Sequence, residues 1–107
     1  MGTTYVCMIH FNTKEELIAE LEVIPDERWC MGSYVNGETC CVLGHLGMVS
    51  RYDPQYDDNV HMSLIKKLNR IIPRWNFCTL YHVNDNHNPN FPQSTPKARV
   101  LAYLKTL

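Results

Sequence analysis

The chain is 107 residues long, 45% hydrophobic and 20% charged, with a formal charge of −1. That length suits one domain around a single core, and the near-neutral balance offers no basic field for gripping a phosphate backbone, which argues against general nucleic-acid binding. No apolar run approaches the roughly 20 residues of a membrane span and no secretory apolar segment follows the start, so a cytoplasmic protein without membrane partners is expected.

Met1-Gly2 opens like an acylation signal, but Val6 stands where that signal needs Ser or Thr. Tyr5, Cys7, Ile9 and Phe11 alternate within residues 4–11 and predict a strand. Thr13 precedes KEELIAELEVI, and Glu16 three positions on makes a capping box. Leu17, Ile18, Leu21 and Ile24 then form one helical stripe, which Pro25 ends. Trp29 to Val35 reads as a short strand, and Asn36-Gly37 as a tight turn with two positive φ angles. From about Thr39, residues Val42, Leu43, Leu46 and Val49 fit a helix that carries Gly44 and Gly47. A glycine inside a helix costs about 1 kcal/mol relative to alanine. Close approach of another backbone, that of the segment holding Trp29, would offset it.

Residues 50–59 are a polar loop, and Asp58 or Asn59 is placed to cap a third helix through Val60, Leu64, Leu68 and Ile71 up to Pro73. Lys66, Lys67 and Arg70 are its wet face. Phe77 to Val83 reads as another strand, followed by a long Asn- and Pro-rich loop at 84–96 of the kind that is functional or mobile. Thr95 with Pro96 at the first helical position starts a last helix with Val100, Leu101 and Leu104 facing inward. The expected fold is a single α+β domain over residues 1–107. It has three or four short, mainly antiparallel strands and about four helices, with 1–12 as a strand extension to a core at 13–107.

The cysteines number five, an odd count with Cys40 and Cys41 adjacent, and no C-x(2–4)-C pair announces zinc. Free, mostly buried thiols are therefore expected, with no cofactor and no metal. Cys41 and His45 lie four apart, so both project from one helix face and could begin a metal site with Cys30, His61, His82 or His87. No recognisable ligand spacing supports that. As a nucleophile, Cys41 would sit in the first turn of its helix, where the dipole lowers a thiol pKa, with a histidine as base and Asn84 or Asp85 in support. Burial would act in the opposite sense. Asn84 and Asp85 also suit a helix cap or an Asx turn. Trp29 and Tyr34 could stack on a planar ligand, although such residues are more often core.

Taken in order, ERWCMGSYVNGETCCVLGHLGMV, VNDN and STPKARVLAYLKTL resemble a family of small bacterial and phage proteins known only as a domain of unknown function. Its pattern runs Arg-Trp-(Thr or Cys)-x-Gly-(Ala or Ser)-(Tyr or Phe), then Cys-Ala-Leu-Gly-Ala-Leu, Asn-Asp and a threonine-led closing helix. Arg28, Trp29, Gly32, Tyr34, Cys41, Leu43, Gly44, Leu46, Asn84, Asp85 and Thr95 match. The resemblance covers residues 14–107 and implies a fold but no reaction. It also implies that neither Cys30, where the family admits Thr, nor His45, where it has Ala, is an obligatory ligand or base.

The expected function is a non-enzymatic binding or regulatory protein, of phage or mobile-element type, that engages a host protein or a small ligand. Trp29, Tyr34, Cys41, His45, Asn84 and Asp85 are the candidate pocket residues. One alternative is an enzyme using Cys41 with Asn84 and Asp85. The other is a homo-oligomer joined through Tyr52, Tyr56 and Phe91.

Overall fold

The computed structural model describes residues 8–107. Within that range the chain forms five α-helices, a 3₁₀ turn at Asp26–Arg28 and one two-stranded antiparallel ribbon. The α+β class holds, but with fewer strands and one more helix than the sequence predicts. No described helix is long and apolar enough to cross a membrane.

Residues 4–7 of the first expected strand lie outside the described range, and 8–11 carry no strand. One backbone bond, from Ile9 N–H to the His45 carbonyl at 3.0 Å, ties them down, and the Phe11 ring is buried. Helix α1 (Lys14–Glu22) starts as its cap predicts: the Thr13 hydroxyl accepts from Glu16 N–H at 3.1 Å. Leu17 and Leu21 go into the core, and Ile24 follows them just past the helix end.

The stretch from Trp29 to Val35 is not a continuous strand. Trp29 makes a single bridge to Cys40, and the chain then turns at Gly32, whose φ of +80° breaks extension. Only β1 (Val35–Asn36) and β2 (Thr39–Cys40) pair, Val35 with Cys40 and Asn36 with Thr39. Gly37 takes a positive φ in the connecting turn, while Asn36 stays in the strand. One left-handed residue at the first loop position therefore suffices where the sequence predicts two.

Helix α2 (Val42–His45) is one turn long, shorter than the apolar pattern suggests. Gly47 stops it at φ +100°, with its N–H on the Gly44 carbonyl and Met48 N–H on the Leu43 carbonyl, both at 3.0 Å. That is a Schellman motif, in which the left-handed residue lets the next two amides fold back onto the last turn. Gly44 meets the expectation of close backbone approach: a Cβ there would lie 2.1 Å from the carbonyl oxygen of Tyr34.

Helix α3 (Asp58–Ile71) is capped one residue earlier than predicted, the Asp57 carboxylate accepting from Asn59 N–H at 2.8 Å and Val60 N–H at 3.3 Å. The largest correction is α4 (Phe77–Asn84), a helix where a strand is predicted. Asn76 caps it through Thr79 N–H at 2.9 Å. Leu80, Val83 and Asn84 are buried at helical spacing. A second Schellman motif ends it at Asn86, φ +64°, with Asn86 N–H on the Val83 carbonyl and His87 N–H on the His82 carbonyl. Helix α5 (Pro96–Lys105) begins as predicted, Thr95 accepting from Ala98 N–H at 3.1 Å.

α5 packs on α4 and α1, and short α2 sits against α4 and α5. One apolar cluster joins them, running from Phe11 and Leu21 through Val42, Leu68 and Leu80 to Leu104. The loop after α4 is anchored to the body: Gln93 lends its carbonyl to Arg99 at 2.9 Å, and Phe91 packs edge-on against Tyr103 at 5.5 Å. Phe91 is thus engaged internally, Tyr56 bonds Asp58 at 2.8 Å, and only Tyr52 of the suggested oligomer trio stands almost fully exposed.

Candidate functional site

Where the ribbon, α2 and α4 meet, a pocket of about 250 Å³ opens. Its floor is Cys41, the residue just before α2, with Leu43. One wall is the Gly32–Tyr34 backbone and the Tyr34 ring. The other is α4, which presents Phe77 and Tyr81 one helical turn apart with ring centroids 5.8 Å from each other. Asp85 closes the rim.

Of the six residues singled out in the sequence, Tyr34, Cys41 and Asp85 reach this pocket, while Asn84 lies just behind it. Asn84 is fully buried and every hydrogen on its amide is used. Its Oδ1 accepts from Val42 N–H at 3.0 Å, and its Nδ2 donates to the Cys30 carbonyl and to Asp85 Oδ1, each at 2.9 Å. Val42 is the first residue of α2, whose amide has no partner inside its own helix. Asn84 is therefore a helix cap, as one of the sequence readings has it, and the helix it caps is α2. Asp85 Oδ1 also accepts from Gly32 N–H at 3.1 Å, which holds the turn on the opposite wall. Asp85 Oδ2 carries no hydrogen bond among the described residues.

Trp29 and His45 belong to the core rather than the pocket. The Trp29 indole N–H reaches the Ile24 carbonyl at 3.4 Å, and its ring lies 4.6 Å from that of His45. His45 is fully buried with Nε2 3.1 Å from the Arg28 carbonyl, so the proton sits on Nε2 and is donated there. Burial lowers the pKa of this imidazole to about 4, partly opposed by that carbonyl. A base with a lower pKa folded than unfolded binds more protons when unfolded between the two values. Its contribution to stability is thus intact above about pH 7 and lost as pH falls towards 4. A shift from 6.5 to about 4 corresponds to about 3 kcal/mol. Urea melts from pH 7 to pH 4 should show a loss of that order in the native protein. In His45→Asn, which cannot titrate, the slope should be flattened; an unchanged slope would place the titration elsewhere.

Cys41 is 6% exposed and free. Burial pushes its thiol pKa up, the amides of Gly44 and Leu43 pull it down, and Cys30 and Asp85 add to the rise. The net direction is upward, so desolvation wins over the helix-start effect that would make a nucleophile. No side-chain base is hydrogen-bonded to its sulfur among the described residues. Tyr34 is likewise raised, by burial first and then by Cys41 and Tyr81, so its phenol is a proton donor at neutral pH. Cys30 and Cys78 are free as expected, whereas Cys40 is disulfide-bonded, a correction to the expectation of free thiols throughout.

The suggested metal ligands are not gathered: among the described residues no three His, Cys, Asp or Glu side chains could hold one ion. His82 meets Tyr81 edge-on at 4.4 Å and lies 6.1 Å from His87, and both histidines are exposed at the far end of α4.

Arg99 is the site residue that sequence reasoning misses. It is 2% exposed, and its guanidinium fans across the end of α4: Nε to the Val83 carbonyl at 3.0 Å, Nη2 to the Asn84 carbonyl at 2.9 Å and Nη1 to the Gln93 carbonyl. A cation at a helix C-terminus meets bare carbonyls and the negative end of the dipole. Burial lowers its pKa and Asp85 raises it, so Asp85 faces a buried positive charge as well as the pocket. The available signal was the stripe Arg99, Val100, Tyr103, Leu104, in which an arginine occupies an inward position of α5.

No family model, no curated protein and no solved structure matches the chain.

Proposed function

We propose that the protein is a small non-catalytic binding protein whose pocket between the ribbon and α4 holds a ligand with a cationic head and an apolar body. The observation that carries this is Asp85. One of its carboxylate oxygens is fixed by Gly32 and Asn84, and the other is unbonded at the rim of a pocket lined otherwise by Tyr34, Cys41, Leu43, Phe77 and Tyr81. A carboxylate held rigidly beside aromatic rings favours an ammonium or guanidinium group, through charge and through the rings' negative faces. At about 250 Å³ the space suits a small amine, or a single side chain of a partner protein.

The cysteine-enzyme alternative has less support. Its nucleophile has a raised pKa, its candidate base His45 is turned to a backbone carbonyl, and its supporting amide Asn84 is fully occupied.

Phenethylamine is a suitable probe, with phenethyl alcohol as the uncharged comparator. Amide NMR shifts at Gly32, Leu43 and Asp85 should move with the amine and much less with the alcohol. Asp85→Asn keeps an oxygen for Gly32 N–H but removes the charge, and is expected to weaken amine binding at least tenfold, about 1.4 kcal/mol. Equal binding of amine and alcohol, or undiminished binding to Asp85→Asn, would count against the reading.

A further inference from the structure

Tyr34 and Phe77 have a second side. Beyond them lies a separate cleft of about 640 Å³, bounded by the loop before α3, by α3 itself and by the start of α4. Its walls are aromatic: Tyr34, Tyr56, His61, Trp75 and Phe77 all line it. Its polar groups are Arg51, Asn69 and Asn76, and no aspartate or glutamate lines it.

The chemistry left over in those polar groups is one-sided. Asn69 Oδ1 accepts from the Trp75 indole N–H at 2.6 Å, and Asn76 Oδ1 accepts from Thr79 N–H at 2.9 Å. Both oxygens are therefore engaged, Asn76 Oδ1 also by the Thr79 hydroxyl at 3.3 Å, while neither NH₂ group has a hydrogen-bond partner among the described residues. Arg51 is exposed and has no carboxylate partner among the described residues; its guanidinium reaches the Tyr56 hydroxyl, and with five N–H donors it keeps others to offer an anion. His61 Nδ1 is buried without a hydrogen-bond partner. A buried ring nitrogen left unsatisfied is an exception that a bound group would remove.

A cleft with aromatic faces, surplus donors and a cation that no carboxylate neutralises selects a flat ring bearing acceptors and negative charge. We propose that this cleft binds a planar heteroaromatic anion of the nucleoside monophosphate type, its ring against Trp75 and the tyrosines and its anionic group at Arg51. The site is distinct from the Asp85 pocket, whose free group is an acceptor and whose preference is for a cation, and the inference does not depend on the reading of that pocket.

Intrinsic fluorescence tests it, because Trp75 lines the cleft while Trp29 is buried in the core. AMP is the probe, with adenosine and inorganic phosphate as the two half-ligands. AMP should quench saturably and bind at least tenfold more tightly than either half, and Trp75→Phe should abolish the signal. Arg51→Gln alters an exposed side chain, so it should keep the melting temperature while bringing AMP affinity down to that of adenosine. Asp85→Asn should leave AMP binding unchanged, which separates this result from the amine experiment. Absence of saturable quenching at millimolar AMP, phosphate binding as tightly as AMP, quenching that persists in Trp75→Phe, or an unaffected Arg51→Gln would each overturn the proposal.

Discussion

Gly44→Ala is expected to destabilise the protein by at least about 3 kcal/mol, at the upper end of what overpacking normally costs. In most helices the same change stabilises, by about 1 kcal/mol, so the sign alone is diagnostic. Here the added carbon would lie 2.1 Å from the Tyr34 carbonyl oxygen and 3.1 Å from both the Tyr34 carbonyl carbon and Cys40 Cβ. None of these is the yielding tip of a long side chain. The Tyr34 carbonyl also accepts from Cys41 N–H at 3.2 Å, so moving it away breaks a bond that seats the ribbon on α2. In a domain of this size, 3 kcal/mol is a fall in melting temperature of about 12 °C or more. A thermal melt matching the native protein would mean that the Tyr34 segment does not rest on α2.

Asn84→Ala should come close to it, at about 3 kcal/mol by urea denaturation. Truncation leaves Val42 N–H and the Cys30 carbonyl without their partner at a buried spot and removes one support of Asp85, and each orphaned buried group costs about 1–3 kcal/mol. Asn84→Asp is the informative companion. It keeps an oxygen for Val42 but cannot donate to Cys30 and places a second negative charge beside Asp85, so it should remain well below the native stability. If Asp were tolerated, the Val42 bond alone would account for the role of this residue.

How much of this was legible in the sequence depended on whether the deciding contact was local. The Thr13 and Thr95 caps act within one helical turn of themselves, and both helices begin where those residues place them. Residues 77–84 failed because Phe, Tyr, Thr and Val are strand-favouring in composition, whereas their state is decided by the Asn76 cap and by burial against α5. Asn86 was a usable stop signal, since asparagine takes the left-handed position after a helix when glycine is absent. That single error hid half of the pocket wall: in a strand Phe77 and Tyr81 would share a face about 13 Å apart, and they meet only when four residues make one turn. Cys41 and Asp85 were identified, but their meeting across 43 intervening positions could not be read from spacing. Trp29 and His45 looked available for ligands, and each is spent on a main-chain carbonyl inside the core.

The borrowed cap of α2 has a consequence for how the pocket comes into being. One turn of helix does not hold itself together in water, and its opening amide is satisfied by a residue that the chain supplies 42 positions later. The thiol floor and the aromatic wall are thus not assembled separately and then brought together; docking α4 creates both at once. Whatever loosens that docking erases the cavity outright instead of widening it.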